Sequence, residues 1–173
     1  MRKTIYALES ISQWSGIIFS AICLALVLIL TFEVFMRYVL SAPTRFSYEI
    51  ASSMGVAIGA GGLAYTHLHS GHVRVDVLWK NLSPRGKAIA DIISSLIFFF
   101  PLFILLTWIS AGWAVQSFIE KEVMTTTFWY PIAWPVRVVI TLGFLLFLPQ
   151  GVAEFLRNIC TLRGIELKKV GEL

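Results

Sequence analysis

Three imidazoles within six positions, His67, His69 and His72, are the residues here whose type and spacing first suggest chemistry, because neutral imidazole is a common metal ligand. On a helix His69 and His72 fall about 200° and 140° around the axis from His67, so the three do not converge on one face. In a strand His67 and His69 agree and His72 points away. A turn at Gly71 gathers them, but no carboxylate or thiol of suitable spacing completes a site within the loop. They read as solvated interface histidines, with no metal. Glu33, Arg37, Arg45, Glu49 and Arg137 form the second constellation. Glu33 and Arg37 are four apart in the favourable acid-before-base order. Arg45 and Glu49 follow across the break at Ser41-Ala42-Pro43, and two acids and two bases around one turn neutralise each other. All five lie near helix ends, where long side chains reach the interface at small cost. No unpaired acid or base sits at mid-span, where an ion-coupled carrier acting alone would need one. Paired histidines deep in a bundle, as haem requires, are absent, as are nucleophile–base pairs, phosphate loops and zinc motifs. No enzyme and no bound cofactor is expected.

The elements that must position these groups are apolar helices. Of 173 residues 57% are hydrophobic and only 14% charged, against about a quarter charged in an ordinary soluble domain. At about 20 residues per crossing, this length allows one domain, residues 1–173, of four spans. They are expected at about 14–38, 46–66, 88–118 and 132–154. Trp14 and Tyr38 bracket the first span, which is too long for a signal-peptide core and reads as uncleaved. Pro101 and Pro149 are expected to kink the third and fourth spans. Span three is long enough to require tilt or a kink. Phe128-Trp129-Tyr130 with Trp134 forms an aromatic belt. Ser83-Pro84 supplies an N-cap and first turn for span three. The expected fold class is therefore an all-α integral membrane protein with four transmembrane helices. A short amphipathic interfacial helix at about 73–82 lies between spans two and three, with Val75, Leu78, Trp79 and Leu82 forming its apolar stripe.

Span two is the least bulky. Ala51, Gly55 and Gly59 recur at four-residue spacing, and glycine costs about 1 kcal/mol against alanine in a helix. In lipid such a face serves close helix–helix contact, with a partner in this chain or another. Cys23 and Cys160 lie far apart and read as packing residues without a disulfide. With the N-terminus inside, Arg2, Lys3, Arg74, Lys80, Arg85, Lys87, Arg157, Arg163, Lys168 and Lys169 face the cytoplasm. Arg37, Arg45, Lys121 and Arg137 face out. That asymmetry places both termini, the central loop and the tail 157–173 of a multi-pass protein in the cytoplasm. No basic run is long enough to bind nucleic acid.

The run Glu33-Val-Phe-Met-Arg37-Tyr38, with Pro43, Tyr48-Glu49, Gly71-His-Val-Arg-Val-Asp76, Ser83-Pro84, Trp134-Pro135 and Gln150, resembles the small membrane subunit of tripartite ATP-independent periplasmic (TRAP) transporters, the DctQ-like family. The resemblance covers about Glu33 to Glu154. It implies a large membrane subunit that carries the substrate and sodium sites and moves as an elevator. It also implies a periplasmic substrate-binding protein that delivers a solute, commonly an organic acid. The small subunit would be a non-catalytic scaffold in the lipid bilayer. Glu33, Arg37, Glu49, Arg74 and Asp76 are the matching positions, in interface or structural roles. Arg45 and Arg137 join them on charge and position, and Gly55 and Gly59 on packing. The competing readings are a self-sufficient homodimeric carrier, which would need an embedded acid, and a membrane anchor of a redox complex, which would show haem or quinone chemistry.

Overall fold

The computed structural model describes residues 2–69 and 83–163. The expected interfacial helix at 73–82, with Arg74 and Asp76, lies outside the described residues, as do His72 and the tail beyond Arg163. The described chain is helical throughout apart from its connections. Helix α1 spans Arg2–Tyr38, α2 Ser47–Leu68, α3 Pro84–Ser94, α4 Phe100–Ile119 and α5 Trp134–Leu162. A π-helical turn, Ser95–Phe99, joins α3 to α4. Among the described residues three segments are long and apolar enough to cross a membrane: Ile5–Tyr38, Arg85–Ile119 and Trp134–Leu162. Helix α2, rich in glycine and serine, falls below that apolarity. It nevertheless runs antiparallel along α1, with Ser47 bonded to Glu33 at one end and His69 to Gln13 at the other.

Local chemistry explains where the helices stop and bend. Helix α1 ends where Ser41 takes a left-handed φ of 52° and the Ala42 N–H donates back to the Met36 carbonyl at 3.0 Å. Pro43 then prevents helical continuation. Helix α3 starts as its sequence predicts, with Ser83 Oγ accepting from the Gly86 N–H at 3.2 Å. Pro101 was expected to kink the long segment. The chain answers it with a wider turn, in which the Phe100 N–H bonds the Ser95 carbonyl, five residues back. Proline has no N–H and its ring clashes with the carbonyl four residues earlier, so a π turn just before it accommodates both faults. Pro149 lies inside α5 without breaking it.

Two helices outrun their expected spans. Helix α1 begins at Arg2, not near Trp14, and α5 continues past residue 154 to Leu162. The extensions are helical because they pack on each other: Ile5 and Leu8 meet Ala153, Leu156 and Cys160 in a small buried cluster. Cys160 is buried there and Cys23 is exposed on α1, both as free thiols.

Helix α5 is the hub, touching α1, α2, α3 and α4. Small residues let it do so. A Cβ placed on Gly143 would lie 2.6 Å from the Ala60 Cβ and 2.7 Å from the Ala60 carbonyl carbon and oxygen, all on α2. Gly151 likewise seats the ring of Phe99. Gly143→Ala is therefore expected to cost about 1–3 kcal/mol, because backbone must move. Gly55→Ala, which meets open space, should stabilise by up to about 1 kcal/mol. Unfolding of both variants in one detergent checks this, and equal midpoints would refute the packing. Large apolar side chains point outward along most of the length. Trp108 is 80% exposed and Phe98 69%, as lipid-facing helices require.

Candidate functional site

Polar groups gather at the two ends of the helices, leaving α1 free of charge from Ser10 to Phe32, about 35 Å of helix. At the Tyr38 end Glu33 is the organising residue. Its Oε1 accepts from Arg37 Nη2 at 2.7 Å and Nε at 3.1 Å. Its Oε2 accepts from the Thr44 N–H at 3.2 Å, from Ser47 Oγ at 2.8 Å and from Thr44 Oγ1. One carboxylate thus ties the end of α1 to the start of α2, whose first residue has no other side-chain cap. Removing it as Glu33→Ala should raise hydrogen exchange of the Thr44 amide by about tenfold or more, as a local opening loses its lock. Unchanged protection would show that the turn holds without it. Glu49 lies buried in the first turn of α2, where an acid complements the helix dipole, and its Oε1 has no hydrogen-bond partner among the described residues.

Arg137, near the start of α5, forms an ion pair with Glu122 and stacks over Trp113 of α4 at 4.0 Å from the ring centroid. It fastens the 120–133 connection, which doubles back through an isolated bridge between Val123 and Ile132. Phe46 meets Trp129 edge to face, bringing this connection beside α2. Between them a cavity of about 370 Å³ opens, into which Arg37, Arg45 and the hydroxyls of Thr125, Thr126 and Thr127 converge. The structure thus brings Arg37 and Arg45 together and sets Arg137 apart from them.

Gly55 and Gly59 share one face of α2 with Gly62, and a Cβ on any of the three would meet nothing within 4 Å. The opposite face is committed to this chain: Gly61 seats Phe19, and Ala64 and Leu68 are fully buried. His67 stacks on Phe99 and lies edge-on to Phe147, while His69 meets Tyr65 and Gln13. The two histidines therefore part company.

At the Arg2 end lies a cluster that sequence reasoning missed. Arg157, expected as a solvated basic residue, is buried, with Nη2 on Glu9 and Nη1 3.1 Å from Glu154. Glu9 is completely buried, and Ser12 Oγ donates to Gln150 Oε1 at 2.7 Å. Gln150 Nε2, Arg157 Nε and Asn158 Nδ2 are buried without partners among the described residues.

Residues 26–161 match the family model of tripartite ATP-independent periplasmic transporters, DctQ component. The chain belongs to the DctQ family. Neither a curated protein nor a solved structure matches it. As a DctQ component it is a membrane protein, and membership implies association with the other TRAP components. The match reaches past Arg157, so the cluster missed at the Arg2 end lies partly within the family's own segment. A signal for it was present: Gln150, Glu154 and Arg157 follow i, i+4, i+7 and draw one polar stripe along α5.

Proposed function

We propose that this DctQ chain is the non-catalytic scaffold of its transporter, holding a large sodium-coupled elevator subunit that takes up an organic acid delivered by a periplasmic binding protein. The reading is carried by the open glycine face of α2. Three glycines in a helix cost about 1 kcal/mol each against alanine, and none of the described residues occupies the space they leave. A close-packed helix of the large subunit is what such a face accommodates. In this reading α2 crosses the membrane too, because it runs beside α1 from Glu33 back to Gln13. Four crossings keep both termini in the cytoplasm of a bacterial inner membrane.

An elevator needs one domain fixed while another slides, and a wider embedded perimeter resists being dragged. The outward apolar faces of α1 and α4 supply that perimeter. Sodium and solute sites belong to the large subunit. The cavity holding Arg37 and Arg45 faces the periplasm in this orientation and suits an acidic side chain of the binding protein. The test is uptake by proteoliposomes containing the large subunit and binding protein, with and without this chain. Sodium-driven uptake should require it. Equal uptake in its absence would remove the scaffold role.

A further inference from the structure

We infer that the groove between α1 and α5 holds one acyl chain of a membrane phospholipid, from the leaflet on the Arg2 side. The two helices meet near that end, where Ile5 packs with Cys160 and Ser12 donates to Gln150. From there a groove of about 550 Å³ runs past Ser10 and Trp14 to Ile22, with Ala57 of α2 and Val139 of α5 at its far end. The contacts of Phe19 with Gly61 and of Ser12 with Gln150 set the register. They put Ala57 and Val139 within about a turn of Ile22.

The dimensions are those of a lipid chain. Ser10 follows Glu9, the last charge before the stretch Ser10–Phe32, and Ile22 stands beside the centre of that stretch. From Ser10 to Ile22 a helix rises about 18 Å. Half of the hydrocarbon core is about 15 Å. The groove thus begins at the interface and closes near the midplane, whereas a partner helix would need it to cross the whole core. Its width points the same way. Spread over that length, the volume gives a mean cross-section of about 30 Å², against about 80 Å² for a helix about 10 Å across. A single hydrocarbon chain fits and a helix does not.

The wall asks for nothing polar. Among the described residues no charged side chain lines it, and its two serines are satisfied by their own helix. Ser10 Oγ donates to the Tyr6 carbonyl and Ser15 Oγ to that of Ser12, both at 2.8 Å. Water needs polar partners to stay in such a space. Ile11, Trp14, Ile18 and Leu142 are exposed, so the groove is continuous with the lipid-facing surface of α1 and α5. Trp14 stands at the level where interfacial tryptophans meet headgroups. Ala57 lies about 200° around α2 from Gly55 and Gly59, so a large subunit on the glycine face leaves the groove to lipid. A chain inside touches three helices where an outer face offers one, and gains dispersion accordingly. Only the naming of the leaflet as cytoplasmic rests on the orientation proposed above.

The test places the full-length chain in dioleoyl phosphatidylcholine vesicles containing a little phosphatidylcholine with a diazirine at the end of one acyl chain. Insertion sites after illumination are mapped by mass spectrometry. The internal control is Ile104 on the exposed face of α4, as far beyond Asp91 as Ile22 is beyond Glu9. Insertion at Ile22 should exceed that at Ile104 by about tenfold. A diazirine near the head of the chain should move insertion to Ile11 and Trp14. Ala57→Phe, whose ring fills the deep end, should bring Ile22 down to the level of Ile104 while Ile104 keeps its own. Equal insertion at the two positions in the wild-type chain would overturn the inference without any variant. A reversed order of the two probes would place the chain in the other leaflet and overturn it too. So would insertion at Ile22 that falls as protein is packed more densely in the vesicle, which would seat a second copy of this chain in the groove.

Discussion

Replacing Gly55 and Gly59 together by Leu is expected to abolish uptake by the assembled transporter while leaving the chain itself folded. Among the described residues both positions face open space, so the new side chains meet no neighbour there. Leucine is also the better helix former, so α2 should be no less stable. Against a partner helix the outcome reverses. Close approach depends on the missing side chains, and two leucines overpack the contact by about 1–3 kcal/mol each. Together these weaken association by roughly a hundredfold or more. Uptake by cells should fall to background, while the amount of the variant in the membrane and its unfolding midpoint match the wild type. Normal uptake by an intact complex would remove the packing role of this face. Loss of the variant from the membrane would contradict the open face itself.

The second large effect is at the Arg2 end. Arg157→Met removes an ion-pair partner from Glu9, which is fully buried, and from Glu154. Breaking a buried ion pair by removing one member costs about 3–5 kcal/mol. For a chain of this size that lowers the unfolding midpoint by about 10 °C. Adding Glu9→Leu removes the other member of the pair and should recover much of the loss, since a paired buried charge contributes little beyond an apolar replacement. The observable is the order of midpoints in one detergent: wild type highest, the double variant between, Arg157→Met lowest. A single variant as stable as the wild type would show that the cluster does not join α1 to α5.

Charge and helix ends were legible in the sequence where their partners are close along the chain. Glu33 and Arg37 pair as their spacing predicts, and Ser83 caps α3. The π turn was legible only as a fault at Pro101, since sequence shows the missing donor but not whether the helix bends or widens. The Glu9–Arg157 pair escaped because its members are 148 positions apart. Each reads locally as an interfacial charge, and only the helical extensions that bring α1 onto α5 bury them. The glycines show the same limit. Gly55 and Gly59 stood out by spacing, yet spacing gives no direction. Close contacts of α2 inside the chain are made at Gly16, Gly61 and Gly143, and the conspicuous pair faces away.

The central claim is that this DctQ chain lives on a larger partner. The most direct measurement is to purify the tagged chain from its native membrane in mild detergent and identify by mass what accompanies it. One much larger, many-span protein is the predicted companion, present with the wild type and absent with the Gly55→Leu, Gly59→Leu variant. A chain that purifies as a lone dimer and moves solute in liposomes would contradict the account.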